Sequence, residues 1–253
     1  MVVAATGFFD GVHLGHAKVI EELCSAARAE GKESAIVTFW PHPRIILGQD
    51  AEKLRLLTSL EEKKELFRAM GVDHVYVLDF TKEMSRLSAE QFISEYLIKK
   101  LGVSTLVIGY DHRIGHGAAG KGAALKKVAE SLGLNAVRVK AVEDEYDTIS
   151  STHIRSFIES GVMERANEML GYNYFLTGSV SEVDKASGLV KMELDEPLKL
   201  LPERGDYDTE VTVSGIKHQA VGHVFRGKVS FTADSFSEIE KGDVIRAEFI
   251  SKL

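Results

Sequence analysis

Two histidines stand three residues apart, His13 and His16, within the segment Gly7-Phe8-Phe9-Asp10-Gly11-Val12-His13-Leu14-Gly15-His16. At helical spacing they share one side of a first turn, and each imidazole can donate to a phosphate oxygen. Gly11 and Gly15 let backbone approach a ligand closely. A metal is not the expectation: zinc wants three or four ligands, and no Cys or carboxylate stands at ligand spacing here. The flanking elements fit an anion site. Val2-Val3-Ala4-Ala5 reads as a buried strand, and Ile20, Leu23 and Ala27 mark one face of a helix. The motif thus sits at a strand-to-helix turn, where free N–H groups and the helix dipole favour phosphate.

Residues 1 to about 145 go on alternating strand and helix signals. Nearly continuous apolar runs at 34–40, 74–78, 105–108 and 136–142 read as strands. Between them, Ser59 and Glu62 have capping-box spacing ahead of a helix carrying Leu66, Phe67 and Met70. Ser88 and Gln91 repeat the device ahead of Phe92, Ile93, Tyr96 and Leu97, and residues 123–132 form a further helix. This order implies a parallel sheet covered on both faces, with ligands bound beyond the carboxyl ends of its strands. The unusual residues gather at those ends. His13, His16, His42, His112, His116 and His153, six of the nine histidines, fall there.

Two more segments at that edge carry chemistry. Thr38-Phe39-Trp40-Pro41-His42-Pro43-Arg44 is a stiff loop with few backbone donors, suited to a flat apolar ring or simply to a rigid strand exit. Trp40 is expected to pack in the core. Ile149-Ser150-Ser151-Thr152-His153-Ile154-Arg155 places hydroxyls at a helix start and an arginine one turn on. Those hydroxyls can cap the helix or hold phosphate, and the arginine can clamp phosphate bidentately.

The first segment resembles the His-x-Gly-His nucleotidyltransferases and, more narrowly, the opening motif of bacterial FAD synthetases. That family is usually bifunctional, joining an FMN adenylyltransferase domain to a riboflavin kinase domain. The Thr-Phe-x-Pro-His-Pro and Ser-Ser-Thr-x-Ile-Arg patterns are similar to the family's as well. The resemblance implies His13, His16 and Arg155 as catalytic, with the histidines acting most usefully as imidazolium. It implies nucleotide contacts from Gly7, Phe8, Phe9, Gly15, Gly109, Asp111, Arg113, Ser151, Thr152 and Arg155. Flavin contacts fall to Asp10, Pro41, His42 and Pro43. ATP and FMN are the implied substrates, with Mg²⁺ carried by the ATP phosphates and no metal site in the protein. The loop after Gly109 departs from the family pattern. It has His112 and Ile114 where aromatics are expected and Ala118 at an arginine position, with Arg113 or Lys121 as replacements.

After about residue 172 helical patterns give way to short alternating segments with turns at Ser187-Gly188, Ser214-Gly215 and Lys241-Gly242-Asp243. The fold expected is α/β: a Rossmann-like nucleotidyltransferase domain with a parallel sheet over residues 1–171, then a small antiparallel β-barrel over 172–253. Lys199 to Gly205 resembles a segment of the kinase domain, but its Gly-x-Pro-Thr-Ala-Asn motif is missing, and Leu189 to Leu194 near its place reads as a plain strand. The second domain therefore resembles a degenerate riboflavin kinase domain and is expected to be dispensable for adenylyl transfer. Two other readings stay open: a transferase for another phosphorylated acceptor, such as a cytidylyltransferase, and a non-catalytic flavin or nucleotide sensor.

Composition bounds the partners. Of 253 residues, 44% are hydrophobic and 27% charged, which is ordinary for a globular protein. A net charge of −7 argues against nucleic acid as the main partner. No apolar run approaches membrane-spanning length, and the N-terminus lacks the basic region of a signal peptide. With the lone Cys24 these features lead us to expect a cytoplasmic enzyme of small molecules. The sequence leaves the oligomeric state open.

Overall fold

The structure, a computed structural model, describes residues 1–48, 51–110, 112–115, 122–140 and 149–253. It divides into two compact units, Met1–Leu54 with Lys63–Thr148, and Arg55–Glu62 with Ile149–Leu253.

The first unit is built on five parallel strands in the order β3-β2-β1-β4-β5: β1 Val2–Thr6, β2 Glu33–Trp40, β3 His74–Asp79, β4 Val103–Ile108 and β5 Asn135–Arg138. β1 lies at the centre and is buried along its whole length, which is why its five residues are nearly all apolar. Its side chains alternate between two cores. Val3 and Ala5 join Ile20, Leu23 and Ala27 of α1 (Leu14–Glu30) and Phe67 of α3 (Leu60–Ala69). Val2 and Ala4 join Phe92 of α4 (Ala89–Phe92), Leu97 of the π-helical stretch Ile93–Lys100, and Leu125 of α5 (Gly122–Ser131). A short α2 (Pro43–Leu47) leaves β2. The chain reverses direction in strand order between β1 and β4, so the crevice at their carboxyl ends is where a ligand should enter.

The second unit carries α6 (Ser151–Glu159), α7 (Met163–Leu170) and six strands closed into an antiparallel barrel in the order β10-β7-β6-β11-β8-β9. The strands are β6 Tyr174–Asp184, β7 Leu189–Leu194, β8 Gly205–Val213, β9 Ile216–Phe225, β10 Lys228–Thr232 and β11 Val244–Lys252. Two tight hairpins have left-handed residues at both central positions: Ser214 and Gly215 (φ 50° and 82°), and Arg226 and Gly227 (φ 50° and 73°). Their twist suits adjoining strands. The second was not marked by the sequence, because arginine is an unusual choice there.

The compact units part at 148/149, whereas composition marks a boundary at 171/172. Residues 149–171 are compact with the barrel, for a local reason. α7 buries Met163, Ala166, Met169 and Leu170 and packs on β6 and β11. Its Asn167 donates to the Phe249 carbonyl (2.9 Å) and accepts from Tyr174 N (2.7 Å). Residues 55–62 also belong here, since Leu56 exchanges backbone hydrogen bonds with Leu198 and Leu200 (both 2.8 Å). Composition shows where strands begin, not what a preceding helix packs upon. The barrel thus shares one compact unit with α6, α7 and residues 55–62.

Candidate active site

The motif occupies the exit of β1. His13 is the N-cap of α1, and His16 lies in its first turn. Their rings stack at 3.7 Å between centroids, tilted by 18°. Phe9 meets His16 edge-on at 5.2 Å. The loop reaches this arrangement through left-handed backbone at Phe9 (φ 53°), Gly11 (φ 80°) and Val12 (φ 37°). Only the glycine adopts that region without cost; a β-branched Val12 there is strained. The Nδ1 of His16 is buried without a hydrogen-bond partner.

The surroundings of His16 work against an imidazolium. Burial first, then charge interactions with His13, Lys63 and His112, hold its pKa well below 6.5. At neutral pH His16 is a neutral imidazole with one donor and one acceptor. Spacing brings the rings together but says nothing of what their surroundings do to the charge.

Sequence reasoning missed Lys63. It is fully buried, its Nζ donates to the Phe8 carbonyl (3.0 Å), and the ammonium lies 3.5 Å from the centroid of the Phe8 ring. Burial lowers its pKa to about 8, and the charge of buried Asp10 opposes that shift. Asp10, read as a flavin contact, therefore faces Lys63 electrostatically.

Beside the motif lies a cavity of about 350 Å³. Phe8, Phe39, Phe80, Phe92 and Met84 give it aromatic and apolar walls, and Pro43, Thr6, His112 and Arg113 also line it. Its volume falls within the range of small-molecule sites. His112 Nε2 and Thr6 Oγ1 are 2.7 Å apart. Trp40 is half-buried and stacks parallel to Phe8 at 6.4 Å, rather than lying deep in the core. Trp40 and Pro41 are joined by a cis peptide bond. His42 caps α2, its Nδ1 accepting from Arg44 N (3.0 Å), and its ring meets Phe8 edge-on at 4.2 Å. Gly7 is close-packed, since a Cβ there would lie 3.0 Å from the Phe9 ring. Gly15 sits in the first turn of α1, and Gly109 follows β4.

Ser151, Thr152 and Arg155 belong to the second unit. Ser150 caps α6 by accepting from His153 N (3.3 Å), so Ser151 and Thr152 open the helix itself. Arg155 is held by donation from Nε to the Arg55 carbonyl (2.8 Å) and from Nη1 to the Ser151 carbonyl (3.2 Å). Asp111, His116, Ala118, Gly120 and Lys121 lie outside the described residues, as does the acidic segment 141–148. Among the described residues no group of three His, Cys, Asp or Glu side chains is placed to hold a metal. No described helix is long and apolar enough to cross a membrane.

Comparison with known proteins identifies the family. Residues 1–153 match the FAD synthetase family model. A bifunctional riboflavin kinase/FMN adenylyltransferase of Listeria monocytogenes is 35% identical over 243 residues, covering 94% of this chain and 76% of the relative. A second Listeria monocytogenes protein, described as an FAD synthetase, is 29% identical over 82% of this chain and 80% of its own length. A solved Streptococcus pneumoniae structure titled a macrolide-efflux protein shares the fold: TM-score 0.86, 24% identity, 100% of this chain and 93% of that one. This chain belongs to the FAD synthetase family.

Proposed function

We propose that this protein is an FMN adenylyltransferase, forming FAD and pyrophosphate from FMN and ATP. One observation carries the reading: the loop leaving β1 walls an aromatic cavity with Phe8 and, within a few residues, presents His13 and His16 at a helix N-terminus. A flat apolar ring and a phosphate are thereby offered neighbouring places by one segment.

The chemistry needs no general base, because FMN's phosphate is already anionic near neutral pH. A phosphate oxygen of FMN attacks the α-phosphorus of ATP. A new P–O bond forms, the bond from the α-phosphorus to the bridging oxygen breaks, and pyrophosphate leaves with that electron pair. Catalysis is then the alignment of two polyanions and the stabilisation of charge on α-phosphate and leaving group. His13 and His16 would donate to those oxygens together with the first N–H groups of α1. Approach of the polyanion favours the charged form of His16 and so works against the shift that burial imposes.

Further roles rest on the motif resemblance. Arg155, Ser151 and Thr152 would hold the β- and γ-phosphates, with Gly7, Phe9, Gly15, Gly109, Asp111 and Arg113 completing the nucleotide site. Asp10, Pro41, His42 and Pro43 would serve the flavin side, where Pro43 lines the cavity and His42 supports Phe8. Mg²⁺ would ride on phosphates and water, as this hard cation commonly does. The protein would work in the cytoplasm on these small molecules, with neither nucleic acid nor membrane as a partner.

Riboflavin phosphorylation is not part of the proposal. A kinase must position ATP's γ-phosphate and a metal against a neutral hydroxyl. Near the place where the family carries Pro-Thr-Ala-Asn, β7 is a strand paired with β10 and, across a register shift at Val180/Glu182, with β6. The test is pyrophosphate release with Mg-ATP and a panel of acceptors: FMN, nicotinamide mononucleotide and phosphopantetheine. Release is expected with FMN alone; equal rates with the others would overturn the assignment of acceptor.

A further inference from the structure

Lys63 presents an energetic oddity. A fully buried ammonium is costly to hold; this one donates to a backbone carbonyl, and the charge of Asp10 opposes only part of the cost of burial. An apolar side chain of similar length would avoid that cost. The contacts of Lys63 point elsewhere. Nζ donates to the Phe8 carbonyl at 3.0 Å, lies 3.5 Å from the Phe8 ring centroid, and is 5.6 Å from that of Trp40. Thr38 Oγ1 also reaches the Phe8 carbonyl, at a longer 3.4 Å.

Phe8 has two duties in the site. Its ring is a wall of the aromatic cavity, and its backbone opens the turn through left-handed Phe9, Gly11 and Val12 that ends at His13. A strained turn persists only where its surroundings over-determine it. The hydrogen bond and the cation–π contact from Lys63 fix both the carbonyl and the ring of the residue where the turn begins.

Resting on the adenylyltransferase reading, we propose that Lys63 is a positioning residue for adenylyl transfer. It holds Phe8, and through it the turn that sets His13 and His16 against the reacting phosphates. The ammonium acts from beneath the loop and does not itself touch substrate. Among the described residues, the charged or titratable groups facing it are Asp10 from the loop and His16 from α1. With a pKa near 8 it is largely protonated at pH 7 and loses its grip on Phe8 over the next units.

The test compares the full-length wild type with K63M and K63R for FAD formation, melting temperature and pH profile. K63M is expected to lower kcat roughly 10–100-fold, the scale of a small misplacement of reacting groups. Its melting temperature should be unchanged or higher, because the desolvation cost of a buried ammonium has gone. In the wild type kcat should fall above about pH 8, and K63R, which stays charged, should move that limb upward. Three results would overturn the inference: a K63M kcat within about threefold of wild type, a K63M chain that melts lower or does not fold, or an identical alkaline limb in K63R. A wild type that makes no FAD would instead overturn the function on which the inference rests.

Discussion

Glu62 and Lys63 are neighbours in the chain, both buried and both charged, and they sit in opposite circumstances. Glu62, in the second unit, is saturated. It accepts from Ser59 N (2.8 Å), Thr177 Oγ1 (2.8 Å) and Lys199 Nζ (2.5 Å). Lys199, 2% exposed at its side chain, donates also to the Leu57 carbonyl (2.7 Å) and lies over the rings of Tyr174 and Phe175. Lys63, in the first unit, grips a carbonyl and a ring, and His16 near it keeps an orphaned Nδ1. A polar cluster with its hydrogen bonds made belongs to the folded frame. The orphaned Nδ1 of His16 is instead a polar group that the fold leaves unsatisfied.

The comparison breaks first where the frame is cut. Ending the chain after residue 172 removes Thr177 and Lys199 from Glu62 and the barrel from α7. The expected result is loss of the cooperative melt seen by circular dichroism. A truncated protein that melts sharply and still makes FAD would return the barrel to the status of an appendage.

Lys199→Met tests the same frame by one residue. It leaves the Glu62 carboxylate buried without its cation, at a cost of about 3–5 kcal/mol in denaturant titrations. The kcat of the protein that remains folded should not change. Adding Glu62→Gln should recover much of the loss, since the uncompensated charge is what the single variant suffers from.

His16→Ala should show the reverse pattern. We expect FAD turnover to fall by about 10²–10³-fold, the scale for one preorganised charge-stabilising donor. Its melting temperature should hold or rise. Turnover within a few-fold of wild type in the folded variant removes His16 from the catalytic groups.

Arg155→Lys is a smaller change, replacing a rigid fork by a point charge. ATP affinity by calorimetry should weaken by about tenfold, with FMN affinity nearly unaltered. Equal losses for both ligands would make Arg155 structural.

The smallest effects are on stability against pH. The folded pKa of His16 is depressed below 6.5, so the unfolded chain binds more protons just under that pH. Stability from this group is present above 6.5 and is lost as pH falls below it. Lys63, lowered from 10.5 to about 8, also leaves the unfolded chain with more protons bound between those values, so its contribution rises with pH across that window. Melting curves of H16A and K63M should each flatten in their own range.

Much of this was readable in the chain. β1 and β4 announce themselves as continuous apolar runs, and the capping boxes at Ser59/Glu62 and Ser88/Gln91 both form. The alternation after residue 172 became a barrel, and the segment without Pro-Thr-Ala-Asn became a plain strand. Lys63 was hidden by its company: Glu61, Glu62, Lys64 and Glu65 make the stretch look like a solvated face. The signal was present nonetheless, because Lys63 is three residues before Leu66 and four before Phe67, on the apolar stripe of α3. The place of 149–171 was not legible, since an amphipathic helix tells which face is buried and not against what. Likewise the neutral His16 follows from burial and neighbouring charge, which motif spacing does not encode.

One assay bears most directly on the central claim. The full-length protein is incubated with Mg-ATP and either FMN or riboflavin, and flavins are separated by chromatography while pyrophosphate is counted. We expect FAD and pyrophosphate in equal amounts from FMN, and riboflavin recovered unchanged. No FAD from FMN, with pure folded protein, would contradict the account.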